Sequence, residues 1–558
     1  MARNPQASEY GGLASALADV THELRSVTAQ LSRLADAQAQ RKPAGGAGAT
    51  PAVQVNSWGD DPFSQQIATA NPPLAAILAL PVNTPTNARL RIAVVEPRPA
   101  PSLYAAGTAE FRYWVAVEAL SRGINFWSAL LPAGTTWSTS NPMRVTLVMP
   151  VPQLNAFYRR SNGLEFYRFT RPDMDIYSGE SPDAVCHELG HAVLDALKPQ
   201  LFNAASLEAS AFHEAFGDMS AILCALQLPI MRARVLAETG GRLNVNSRLS
   251  RLAEQLGWGL RQLSRDLADA DCLRNAANHF FYHPPNLLPS QAPSNELSSE
   301  FHSFSRVFTG AFLDALARMV VNVGQPSDAS ILAVSRDMGQ LLIDGVHNAP
   351  ITPGYYSQVA AAMVQADRAR FRGRYGSALS GAFIERGILS VGSAAALATA
   401  PVPTLEPVPS AETFGMAALE AHGSATVLAY RGSALDDAYS RAAGQTPDLP
   451  QQDVNVAGLT LAVHAPVEER RFSVRSEAAG IAPDASSMDS ESDARHFIED
   501  LIQRRELDFG AVQDQAGMFD SGSPEKVTHT VVVEDGRSAL KRNHFACWCC
   551  AAGAPFCR

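Results

Sequence analysis

The string Asp183-Ala-Val-Cys-His187-Glu188-Leu-Gly-His191 constrains this chain more than any other part of it. On a helix, residues four apart share a face, so His187 and His191 can offer two imidazoles to one metal ion. Glu188, one step round, then reaches a water on the open coordination position, and the ion that suits this set is Zn²⁺. A His-Glu-x-x-His match arises by chance in about one or two per hundred such sequences, so the motif needs company. Glu214 and Asp218, in HEAFGD on the next helical segment, supply it. Glu214 is the candidate third ligand, and Asp218, one turn later, the acceptor for a metal-bound imidazole. The alternative for this pair is an exposed acidic helix face.

With these residues in place, the middle of the chain resembles the thermolysin-like zinc metallopeptidases, the gluzincins. Asn155-Ala156-Phe157-Tyr158 looks like that family's substrate-binding edge strand, in which the Asn side chain and the Ala carbonyl hold a peptide backbone by strand addition. Leu273-Arg274 resembles the pair whose arginine binds a substrate carbonyl, and His302 stands where the family keeps a transition-state-stabilising histidine. SRVFTGAFLDAL and ALSGAFIERGIL resemble its last core helices. The resemblance covers residues 88–392 and implies an α+β fold with a mixed strand and helix lobe followed by a helical lobe. It also implies a zinc-dependent endopeptidase acting on a peptide or protein substrate. His187, His191 and Glu214 would hold the metal, with Asp218 behind His187 or His191. Glu188 would be the general base, His302 and Arg274 would stabilise developing negative charge, and Asn155 and Ala156 would hold the substrate. Ala184 and Leu273 match positions lining an apolar pocket after the scissile bond. The carboxylate orienting His302 is Glu296 or Glu300.

Two departures from the family stand out. Its oxyanion-side tyrosine falls at Phe202, which leaves Tyr158, Tyr177 or Tyr282 as replacement donors. Asp183 matches a calcium carboxylate, but a second expected position is Ala225, so a calcium site is not carried over and Asp183 reads as a helix cap. A catalytically weak or silent zinc-stabilised scaffold, acting in binding or assembly, is the second function class.

Outside this region the chain changes character. Residues 1–36 carry Leu13, Leu17, Val20, Leu24, Val27, Leu31 and Leu34 at alternating steps of four and three, a heptad seam that predicts a coiled coil and a homo-oligomer through 13–34. A lone helix docked on its own domain is the competing reading. Residues 37–87 read as a flexible linker, on the strength of the Ala-, Gly- and Pro-rich stretch that opens them. Residues 393–558 form an accessory region, introduced by APVPTLEPVPS, with strand candidates LTLAVHA and HTVVVED and the polar patch DASSMDSESD. Its role is inhibitory, targeting or substrate-recruiting. It ends in His544 and Cys547, Cys549, Cys550 and Cys557, whose spacing fits disulfides, acylation or an oxidation-prone end better than a second zinc site. At 558 residues, 46% hydrophobic and a net charge of -10, the chain has the size for several domains and no electrostatic case for nucleic acid. It shows no apolar run long enough to span a membrane and no apolar signal at its start. Cytoplasmic location is the expectation, with non-classical export the alternative.

Overall fold

The computed structural model describes residues 53–64, 76–172, 174–403, 405, 449–456, 458–466, 489–515, 519–524 and 526–546. All of these but Val53 belong to the second of two compact units, Gln54–Arg558. The heptad seam at 13–34 and the four terminal cysteines lie outside the described residues.

Strand β1 (Gln54–Trp58) pairs antiparallel with β2 (Ile77–Pro81). Part of the stretch read as linker is therefore structured: Trp58, unreadable in a Gly- and Pro-rich context, packs edge-on against Phe111 at 5.1 Å. After β3 (Ile92–Val94) comes α1 (Ala109–Ser128), whose first turn is closed by Thr108 accepting from the Phe111 amide. It is buried on most sides: Phe111 and Val115 pack with Trp58, while Trp114, Leu120 and Ile124 enter a larger core. Strands β4 (Met143–Thr146), β5 (Ala156–Arg159) and β6 (Gly163–Phe166) extend the sheet, and β7 (Arg168–Thr170) pairs with β8 (Asp175–Tyr177).

A largely helical stretch follows. It holds α2 (Pro182–Leu197), α3 (Leu207–Ala225), α4 (Pro229–Thr239), the short β9 (Arg251–Leu252), α5 (Glu254–Arg261) and β10 (Arg274–Asn275). It then runs through α6 (Phe301–Asn322), α7 (Asp328–Asn348), α8 (Tyr355–Arg370), α9 (Gly376–Glu385) and α10 (Val391–Thr399). The mixed α+β class is as expected. One apolar core takes in residues from Val55 to Leu397, through both strand and helix regions, and Phe545. Among the described residues no single helix is long and apolar enough to cross a membrane.

The described residues from 449 to 542 build a second sheet with one helix. It comprises β11 (Gln451–Val456), β12 (Leu459–His464), α11 (Ser490–Arg504), β13 (Leu507–Asp508), β14 (His529–Glu534) and β15 (Arg537–Arg542). The five strands lie in the order β11-β12-β15-β14-β13. The polar patch read from DASSMDSESD is in part the start of α11: Asp489 accepts from the Ser492 amide, and Ala494, Phe497, Ile498 and Leu501 form one buried stripe. The core of the module also takes in Ala205, Leu207 and Phe301 from the helical region, so packing does not divide at residue 392. The last strand, β16 (Phe545–Ala546), leaves the module and joins the other sheet, whose order is β16-β5-β6-β4-β3.

Candidate metal centre

Helix α2 begins at Ser181, whose hydroxyl accepts from the Ala184 amide, with Pro182 in the first turn. Ser181, not Asp183, is thus the cap. The helix carries His187, Glu188 and His191, which are at most 2% exposed. Helix α3 crosses it at two glycines. A Cβ on Gly190 would lie 2.9 Å from Gly217 Cα, and one on Gly217 would lie 2.6 Å from the His187 ring. The absence of those two atoms lets Glu214 and Asp218 reach the imidazoles. Cys186 points away, its thiol 3.7 Å from the Ala119 carbonyl in the core.

Glu214 Oε2 lies 3.4 Å from His187 Nε2, 3.7 Å from His191 Nε2 and 3.1 Å from His302 Nε2. The Nε2 atoms of His187 and His191 and both carboxylate oxygens of Glu188 are buried without a hydrogen-bond partner. Native interiors seldom tolerate such a concentration of unsatisfied atoms, and a bound cation is one way to satisfy them. The ligand atoms of His187, Glu188 and His191 fall within 4.8 Å of one another, so the group can hold a metal ion.

The far sides of both rings are fixed. Asp218 Oδ1 lies 2.9 Å from His187 Nδ1, and Arg274 clamps the same carboxylate at 2.7 and 3.0 Å. In its neutral form His187 therefore carries its proton on Nδ1 and offers Nε2 to a metal. His191 Nδ1 lies 2.8 Å from His213 Nδ1. With His191 Nδ1 as donor, its Nε2 is again the free atom. Burial lowers His187, but Asp218 and Glu214 outweigh it and lift the group to about 9. Burial dominates at His191, aided by nearby positive charge, and takes it to about 3. Burial also pushes Glu188 up to about 8.

His302, at the start of α6, is held through Nδ1 by Glu300 Oε1 at 2.7 Å, which decides between the two orienting carboxylates. Glu300 also caps α6 by accepting from the Ser303 amide. Burial would lower His302; Glu214 and Glu300 overcome it and hold the imidazole well above its usual value. Ala156 opens β5, and Asn155, just before it, shares a small cavity with Glu214 and His302. Ala184 and Leu273 are buried.

The three replacement tyrosines are engaged elsewhere. Tyr158 donates to Asp195 at 2.7 Å, Tyr282 to Glu208 at 2.5 Å, and Tyr177 faces Asp175 at 3.5 Å. Phe202 is buried, edge-on to Tyr158 at 6.2 Å. Asp183 belongs to a second buried group with Asp61 and Glu254, whose carboxylate oxygens also lie within 4.8 Å of one another. Burial drives Asp61 up to about 6, and Asp183 is raised first by burial and then by the charges of Asp61 and Asp60. Asp61 follows β1 in the Gly- and Pro-containing stretch, where no periodicity marks it.

Sequence reasoning also missed His213, which precedes Glu214 and whose signal was that adjacency, and the C-terminal strand. Phe545 pairs with Tyr158 and Ala546 with Phe157 on the edge of β5 opposite β6. Compared with protein-family models and with curated proteins, the chain matches none.

Proposed function

We propose that the chain is a zinc-dependent endopeptidase of the two-lobed, thermolysin-like kind. The observation that carries this reading is the convergence of Glu214 Oε2 on two unpartnered imidazole nitrogens, 3.4 and 3.7 Å away. Donors about 2.0–2.1 Å from a tetrahedral zinc are separated by roughly 3.3–3.4 Å, so His187, His191 and Glu214 fit that ion. When bound, zinc supplies a water of lowered pKa and polarises a carbonyl.

The chain's own groups have separate tasks. Glu188 is the residue next to a ligand but is not needed as one, which leaves a carboxylate oxygen to take the proton of the attacking water and return it to the leaving amine. His302 offers Nε2–H to the carbonyl oxygen as charge develops there, with Glu300 holding the ring. Arg274 keeps Asp218 on His187 and adds positive charge. Asn155, Ala156 and the rest of β5 receive an extended peptide, and Ala184 and Leu273 favour an apolar residue after the cut.

The second reading, a catalytically weak scaffold working in assembly, is favoured by one observation. Every candidate tyrosine hydroxyl is already bound to a carboxylate, so one oxyanion donor is missing, a loss worth about 10²–10³ in rate. The decisive experiment is metal analysis with peptide-library hydrolysis, using the full chain and its Phe545→Glu variant, chosen to weaken the strand on β5. We expect one zinc per site, lost in His191→Ala, and hydrolysis that disappears in Glu188→Gln with zinc retained. Full activity in Glu188→Gln would end the reading.

A further inference from the structure

The edge of β5 is occupied by this chain's own C-terminal strand, and the occupation is specific. The Ala546 carbonyl oxygen lies 2.7 Å from His302 Nε2, which already stands 3.1 Å from Glu214 Oε2. The Phe545 ring stacks on His213 at 3.7 Å between centroids and on His191 at 4.9 Å, with Phe202 edge-on at 5.5 Å. His544 Nδ1 meets the Arg159 guanidinium at 2.9 Å. One peptide strand thus touches a metal-ligand histidine, its supporting histidine and the carbonyl-binding histidine together.

The strand is delivered by a folded body. Arg542, at the end of β15, donates to the Phe202 carbonyl at 2.9 Å and to Ser210 Oγ at 2.6 Å, and its guanidinium lies over the Phe545 ring at 4.2 Å. Phe301, over which the Arg542 guanidinium also lies at 5.7 Å, stacks on Phe497 at 5.7 Å, and Ser299 donates to Asp500 at 2.5 Å. The Ala205 amide donates to the His464 carbonyl at 2.8 Å. Phe545 itself packs in the main core and not in the core of the module.

From this we infer that the module at 449–546 is a built-in competitor: it lays residues 544–546 along β5 as a substrate-like strand and excludes other peptides from the metal centre. The inference rests on the peptidase reading for what the groove is for, but its occupancy is measurable without catalysis. A strand held covalently acts at a high effective concentration, so modest contacts suffice to keep free peptides out.

The test uses the full chain in a Glu188→Gln background, with a fluorescent peptide of the sequence Lys-Arg-Asn-His-Phe-Ala as probe. Phe545→Glu should bind the probe at least tenfold more tightly than the chain with Phe545, because the acidic side chain cannot stack on the histidines while the core of the module is untouched. Arg542→Ala should act in the same direction and decides the matter if circular dichroism shows Phe545→Glu unfolded. Val533→Glu, on the exposed face of β14, should bind no better than the parent. Equal probe binding by the parent, Phe545→Glu and Arg542→Ala would overturn the inference. With Glu188 restored, Phe545→Glu should hydrolyse a peptide library at least tenfold faster than the parent, and equal, non-zero rates would overturn the inference while leaving the peptidase. Tighter probe binding with no hydrolysis in any chain would leave the occupancy and remove the peptidase.

Discussion

His213 Nδ1 lies 2.8 Å from His191 Nδ1, and with His191 as the donor that contact leaves Nε2 of His191 available to a metal. Removing it frees the ring to rotate and to exchange tautomers. His213→Ala should therefore weaken zinc binding by about 10–100-fold, the usual cost of losing a partner behind a ligand. His213→Asn, which keeps an acceptor near the same place, should recover most of the loss. Competition with a chromophoric chelator reads both, and an unchanged affinity in His213→Ala would assign the contact to packing alone.

The crossing of α2 and α3 gives a second prediction. Gly217→Ala places a methyl group 2.6 Å from the His187 ring, closer than any real contact, so the ring or the helix must move. Overpacking of this kind costs about 1–3 kcal/mol. Thermal unfolding should show the destabilisation, and metal analysis should show zinc binding falling with it. Gly240→Ala, at a helix end where a Cβ meets nothing but φ is positive, should cost stability without touching zinc. Equal zinc loss in both would mean the crossing is not what positions His187.

These relationships mark the limit of what the sequence could say. His187, Glu188 and His191 were legible because one helix brings them together and the helix period is known in advance. Glu214 and Asp218 were legible because the next segment is helical too, and four-residue spacing again puts them on one face. Arg274 and His302 needed a resemblance, since nothing local places a two-residue strand and a helix start beside the histidine pair. Phe545 and Ala546 were illegible: their role depends on a module that docks through Phe301 and Arg542, and a two-residue strand has no periodicity to read. The same holds for Asp61, joined to Asp183 and Glu254 only by tertiary packing. Helix α11 could have been read from its Asp489 cap and apolar stripe, but the polar run that opens it masked the signal.

Docking of the module should depend on pH through Asp493. This carboxyl on α11 is buried against Ser206 and Leu207 at the start of α3, with Glu208 nearby, and burial pushes it up to about 8. In the undocked module it should titrate near the ordinary value of about 3.9. A group raised on docking stabilises the docked form fully below that lower value, and the contribution is lost as pH rises through about 8. Probe binding in the Glu188→Gln chain should accordingly strengthen about tenfold or more between pH 6 and pH 9 as the module lets go. Asp493→Asn cannot ionise and should flatten that rise. An identical pH profile in the two chains would remove Asp493 as the cause.

The strand in the groove also predicts which peptides the site prefers. Phe545 is flanked by His213, His191 and Phe202, all buried. Ala546 packs its small side chain against Phe157 and Tyr167, while its carbonyl points at His302. A peptide cut by this site should then carry a small residue at the carbonyl that meets His302 and an aromatic residue just before it. Burying an aromatic ring in a preformed slot is worth about 1.5–3 kcal/mol, which is roughly tenfold to a hundredfold in kcat/KM over a charged residue at that position. Sequencing the products of a random peptide library after digestion by Phe545→Glu measures this directly. Enrichment of aromatic-then-small pairs on the amino side of the cut is the expected result. Cleavage with no preference at those two positions would mean that the tail binds as a strand without mimicking a substrate, and the contacts of Phe545 would then serve docking only.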